Sequence, residues 1–198
     1  MEIHSRAEFL NLAGLVEGGT VVVALLLAWL LGVSPWDLLN WRWDALAIGV
    51  LATLPMFSLF FIATGPREVA TEMLGAALDS CRWYDLVLLA ALAGVGEEML
   101  FRGVLQPWLA GWHPTFAFFA ANIVFGLIHA VTPAYALLAT GVGMYLSWLT
   151  FGIGEPNLWR AIIAHGVYDA MAFAFIVREF RKKKRRRESG EEEVSEAE

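Results

Sequence analysis

The sequence predicts an all-α, polytopic membrane protein with about six transmembrane helices. Three observations carry that prediction. Of the 198 residues, 58% are hydrophobic and only 17% charged, whereas soluble domains average about 25% charged and 45–50% apolar. Mean hydropathy is +0.58. The apolar residues also fall into six stretches near the roughly 20-residue length that crosses a bilayer as a helix. The net charge of −6 is concentrated at the C-terminus and says little about the body of the chain.

The first span is expected at about Leu12–Val33, with Glu17 and Gly18-Gly19 suggesting an end close to the interface. Its length reads as a retained anchor, and Met1–Asn11 lacks the cationic character of a cleavable leader. Ser34–Asp44, with Trp36, Trp41 and Trp43, reads as an interfacial aromatic belt. The second span is about Ala45–Thr64, with Pro55 as a kink point. In the loop Gly65–Tyr84, Glu68–Leu78 can form a short amphipathic helix on the membrane surface. The third span is about Asp85–Ala110, the fourth Thr115–Val131 and the fifth Ala134–Phe151, where Gly141 and Gly143 permit close helix approach. The sixth is about Leu158–Val177.

A basic block from Arg178 to Arg187 and an acidic tail follow. Positive residues stay cytoplasmic, which places both termini inside. Arg67 and Arg82 agree with that orientation; Arg42 and Arg160, on the outer side, run against it. The block also suits anionic lipid, and the membrane context argues against a nucleic-acid partner. The single cysteine, Cys81, rules out an internal disulfide and reads as an unreactive thiol.

The third span sets the chemistry. Glu97, Glu98 and Arg102 lie inside an apolar run, and each ionised group at bilayer depth costs roughly 2.5–3.5 kcal/mol on insertion scales. Glu98 and Arg102 are four apart and can pair on one helix face. Adjacent side chains diverge by about 100°, so Glu97 points elsewhere. His129 in the fourth span and His165 and Asp169 in the sixth complete the intramembrane polar set. A free carboxylate beside two histidines can activate water as a general base. Alternatively, Glu97, His129 and His165 could hold a divalent cation such as zinc. The same residue types could serve a proton-coupled transporter, although no internal repeat is evident. The chain has no His-Glu-x-x-His and no Gly-x-Ser-x-Gly motif. Tyr84-Asp85 and Tyr168-Asp169 lack the Gly-x-Gly-Asp partner of an intramembrane aspartyl protease.

Three ordered motifs resemble one family: Glu97-Glu98-x-x-x-Arg102, Phe125-x-x-x-His129 and His165-x-x-x-Asp169. They are similar to those of the CPBP family of CAAX proteases and bacteriocin-processing enzymes, also called the Abi family, which includes prenyl-protein endopeptidases. The resemblance covers about Asp85–Phe175. It implies a glutamate-dependent or metallo-endopeptidase in which Glu97 and His129 activate water. His165 and Asp169 would stabilise the oxyanion, and Glu98 and Arg102 would shape the site. Eukaryotic relatives carry asparagine where this chain has Asp169. An ionised aspartate cannot donate to an oxyanion, so Asp169 must be protonated, orient His165 or bind a metal.

The expected organisation is two N-terminal spans and a surface loop (1–84), a catalytic core (85–178) and a disordered charged tail (179–198). The expected setting is a prokaryotic cell membrane, with membrane lipid and a peptide or membrane-protein substrate as partners. A non-catalytic scaffold or immunity protein of the same fold is the other reading. One geometric difficulty arises. Measured from Gly111 at 1.5 Å per residue, Glu97 lies about 21 Å deep and His129 about 27 Å, whereas His165 lies only about 10 Å beyond its loop. Splayed helices around a polar cavity, or shifted helix starts, are needed to bring them together.

Overall fold

The computed structural model describes residues 5–190, and among these it is helical with no strand. Helix α1 (Arg6–Leu31) opens on Ser5, whose side chain accepts from the Glu8 amide, and closes on Gly32 at φ 66°, the left-handed cap that a Cβ would disfavour. It starts six residues before the expected span, so Glu17 lies within the helix and not near its end. A 3-10 turn, Pro35–Leu38, follows. Helix α2 (Trp43–Ile62) keeps Pro55 in its interior. Only Ala63 separates it from α3 (Thr64–Asp79), which is longer than the Glu68–Leu78 segment the sequence suggests.

Helix α4 (Trp83–Glu98) runs without a break through a π-helical segment, Met99–Leu105, into α5 (Gln106–Ala110). Together they form one rod about 40 Å long over residues 83–110. Helix α6 (Pro114–Ile128) and α7 (Pro133–Phe151) each begin with proline at the first turn, where its missing N–H is not needed. Helix α6 stops three residues before the predicted Val131. Helix α8 (Leu158–Glu188) does not stop at Val177 but continues through the basic block. Lysine, arginine and glutamate are good helix formers, and the expectation of disorder from residue 179 fails as far as Glu188. The tail from Glu191 onward lies outside the described residues.

Helices α1, α2, α7 and α8 are each long and apolar enough to cross a membrane. With the 83–110 rod and the shorter apolar α6, the architecture is that of a polytopic membrane protein. Its apolar surface is turned outward: Leu26, Trp29, Leu51, Ile62, Leu88 and Leu137 are all exposed, as a lipid-facing surface requires. Helix α8 is the most enclosed of the four spans, 44% of its apolar window being buried against 11% for α1. It packs on α2, α3, α4 and α7.

The α4–α8 crossing is very close. A Cβ on Gly94 would lie 2.9 Å from the Gly166 backbone nitrogen and 3.0 Å from the Ile162 carbonyl oxygen. Gly94→Ala is therefore expected to cost about 1–3 kcal/mol, measurable as a lower unfolding midpoint in detergent. Gly143 is a true contact glycine, with Asn122 and Arg102 side-chain atoms about its missing Cβ. Gly141 faces open space, against the expectation that both serve close packing.

The two outer arginines are locally accounted for. Arg160 is buried and donates to the carbonyls of Leu149, Ile153 and Glu155 around the end of α7. Arg42 forms a two-point ion pair with Asp44. Asp85 is buried and takes a two-point bond from Arg6 at 2.7 Å for each contact, fastening α1 to the start of α4. Burial raises the Cys81 thiol above its ordinary pKa, so the reactive thiolate is disfavoured.

Candidate active site

Glu97 and Glu98 end the α-helical part of the rod, and the π-segment begins at the next residue. The predicted Glu98–Arg102 pair forms, at 2.8 Å, with both side chains wholly buried. Arg102 is satisfied all round. Its Nη2 donates to Asn122 Oδ1 at 3.0 Å and to the Gly143 carbonyl at 2.8 Å, and its Nε to Ser147 Oγ at 3.4 Å. The guanidinium also lies 4.5 Å from the centroid of the Phe125 ring. Ser147 in turn donates to Gln106 Oε1. The core of the rod is thus joined to α6 and α7 by a network in which each Arg102 nitrogen has an acceptor, the condition under which a buried polar group is tolerated.

Glu98 has a second partner that helical spacing alone does not reveal. His165 Nδ1 approaches the same Oε1 at 2.9 Å. The other ring nitrogen, Nε2, is 3.4 Å from Asp169 Oδ2, one turn further along α8. A single carboxylate oxygen therefore links the first motif to the third, and His165 stands between two acids.

His129 sits at the C-terminal cap of α6, where the helix has just ended. Its Nδ1 is 2.8 Å from the Phe125 carbonyl oxygen. A carbonyl can only accept, so Nδ1 carries a proton and Nε2 is left as a lone pair in the neutral ring or as a second N–H in the imidazolium. That nitrogen lies 3.6 Å from Glu97 Oε2, which is buried and has no hydrogen-bond partner. Nε2 and Oε2 from different helices therefore face one another just beyond direct hydrogen-bond reach, an arrangement that suits a shared proton or a bridging water molecule.

The depth difficulty resolves in two ways. Helix α6 starts at Pro114 and not at the Gly111 turn, which leaves His129 about 22 Å along it, level with Glu97. The start of α8 is recessed. A Cβ on Gly103 would meet Pro35 at 3.0 Å and Leu158 at 3.4 Å, so Leu158 lies beside Gly103, about 10 Å below the end of the rod. Asn157 fixes this start. It caps the Trp159 amide and donates to the Asn40 carbonyl at 2.7 Å. From there, seven residues bring His165 to the level of Glu98.

Glu97, His129, His165 and Asp169 all line one cavity of about 260 Å³, with Phe125, Tyr135, Tyr168 and Phe173 in its wall. Glu98 and Arg102 lie behind it. A further wall residue is Glu17, for which the sequence suggests a place near a membrane interface. The sign was present, because Glu17 is the one ionisable residue of its apolar stretch, and such residues are functional candidates by default. Its place is set by Gly96, whose missing Cβ leaves room for the Glu17 backbone carbonyl at 3.1 Å.

The suggested metal set of Glu97, His129 and His165 is not assembled. Both His165 nitrogens face carboxylates. Among the described residues no group of three histidine, cysteine or acidic side chains is placed to hold an ion. A catalytic zinc takes three protein ligands and a water, and of the three suggested residues only Glu97 and His129 face one another. Nor is there an aspartyl dyad, since Asp85 is bonded to Arg6, away from Asp169.

Residues 79–171 match the family model of Rce1-like proteins, described as type II CAAX prenyl endopeptidases. The match contains all three motifs and is consistent with the CPBP family. No curated protein matches the chain, and no solved structure does.

Proposed function

From the match of residues 79–171 to the Rce1-like family of endopeptidases, we propose that this chain is an intramembrane endopeptidase in which Glu97 and His129 activate the attacking water. The observation that carries this reading is the 3.6 Å approach of Glu97 Oε2 to His129 Nε2 on a cavity wall. A water placed between them gives a proton to Glu97 and attacks the scissile carbonyl carbon. His129 orients that water through its Nε2 lone pair.

The tetrahedral oxyanion takes a hydrogen bond from His165. An imidazole facing acids on both sides acts as a donor from both nitrogens, and the Nε2–H, 3.4 Å from Asp169 Oδ2 on the cavity lining, is shared between that carboxylate and the oxyanion. Asp169 then serves to orient His165 and need not donate to the oxyanion itself. As the intermediate collapses, the C–N bond breaks and the proton held by Glu97 passes to the leaving amine. Glu98 and Arg102 touch none of the reacting atoms and act by positioning His165. The substrate is a peptide bond of a membrane-associated peptide or protein. In this reading the C-terminus, and the inner ends of α4 and α8, face the cytoplasm, which the positive-inside rule supports through the basic block.

The test is an assay of the purified protein in lipid nanodiscs against a panel of membrane-anchored peptides, with a chelator arm and a His129→Ala arm. Cleavage lost in His129→Ala and unchanged by chelation is the expected result. Loss on chelation with rescue by zinc would move Glu97 and His129 from base to ligand. A His129→Ala protein as active as the wild type would sink the mechanism.

A further inference from the structure

Helix α8 carries its basic block out of the membrane as an ordered helix, and α3 is clasped to it there. Phe180 fills the space left by Gly75, and Arg181 Nε donates to Asp79 at 2.5 Å. Between the two helices lies a second cavity of about 270 Å³, well away from the catalytic one. It is lined by Lys183, Lys184 and Arg187 of α8 with Glu188, and by Thr71 and Glu72 of α3. The Thr71 hydroxyl already donates to the Arg67 carbonyl, so the lysine amines are the groups that can meet a ligand. Lys182, Arg185 and Arg186 are exposed on the same turns and raise the local potential further.

We propose that this groove seats the phosphate of an anionic phospholipid headgroup. Three observations favour lipid. First, Lys183 and Lys184 lie only about 10 Å beyond Val177, where the apolar span ends, within the reach of the headgroup layer for long amine side chains. Second, Lys182, Arg185 and Arg186, exposed on the same turns, add their charge to Lys183 and Lys184 and make the surroundings of the groove positive. Third, the clasp gives the groove a fixed wall, unlike a loose basic tail.

The position also has a consequence for the catalytic cavity. Leu74, next to the clasp residue Gly75, lines that cavity. Leu74 and Ala70 also line a small apolar annex of about 70 Å³ that shares Tyr168 and Asp169 with it. Helix α3 therefore has the lipid groove on one flank and the catalytic wall on the other. A lipid held at Lys183 and Lys184 braces α3 and so supports activity; this second statement rests on the endopeptidase reading.

The experiment compares the full chain with a Lys183→Glu/Lys184→Glu variant. Binding is read by co-flotation with vesicles of pure phosphatidylcholine and of phosphatidylcholine mixed with phosphatidylglycerol, after detergent exchange, and by lipids retained in native mass spectrometry. The wild type should retain phosphatidylglycerol selectively. The variant should lose that selectivity by at least about thirtyfold, the scale of two lysines removed from a charged surface, with the two new carboxylates repelling the headgroup further. Peptide cleavage in the mixed lipid should fall several-fold in the variant, but not in phosphatidylcholine alone. Equal retention by both proteins would overturn the site. So would retention displaced by inorganic phosphate or by an RNA oligonucleotide in preference to lipid. Selective retention without cleavage by either protein in any lipid would leave the lipid site standing and sink the endopeptidase reading instead.

Discussion

Glu97→Gln lowers peptide hydrolysis by about 10³-fold, the scale of losing a general base, in a protein that still folds. The two halves of this expectation have separate causes. Activity falls because an amide cannot take the proton of the attacking water. The fold survives because Glu97 Oε2 makes no hydrogen bond within the protein, so an amide of the same shape breaks none there. Single-turnover cleavage of a labelled membrane-anchored peptide gives the first quantity, and thermal unfolding in detergent the second. Cleavage at the wild-type rate would remove Glu97 from the chemistry. Loss of both activity and folding would make it a structural acid.

The neighbouring carboxylate has the opposite profile. Glu98→Ala leaves Arg102 fully buried without its anion and His165 without its Nδ1 acceptor. Removing one member of a buried ion pair costs roughly 3–5 kcal/mol, a large share of the 5–15 kcal/mol by which small domains are held folded. The variant is expected to unfold at much lower denaturant or to be lost during purification. The double variant Glu98→Leu/Arg102→Met removes both charges and should recover most of that stability. It should remain inactive, because nothing then fixes His165. Equilibrium unfolding of the three proteins, with cleavage measured on each that folds, checks the prediction. A fully active double variant would show that His165 needs no support from Glu98.

Much of this site is legible along the chain. The apolar stretches locate the helices, and the spacing of four couples Glu98 with Arg102 and His165 with Asp169. What stays hidden is whatever depends on how the helices sit against each other. The bond from His165 to Glu98 joins residues 67 positions apart and follows from the recessed start of α8, which Asn157 and Asn40 fix across another long gap. Glu17 reaches the cavity because α1 begins earlier than its apolar run. The π-segment has no composition of its own. The helical basic block was readable, since helix propensity favours it, and only its charge suggested disorder.

That π-segment also changes how the chain responds to a change of length. A wider turn accommodates one more residue than an α-helical one within the same sweep. Deleting a single residue between 99 and 105 would let the rod close into a regular α-helix with almost no change in hydropathy. The helix on either side of the deletion would keep its phase, so Gln106 would still face Ser147 and Glu97 the cavity. The same deletion in α4, outside the segment, would turn everything beyond it by about 100° about the axis. The rod thus houses one extra residue beside Arg102 without disturbing the register that its two halves share.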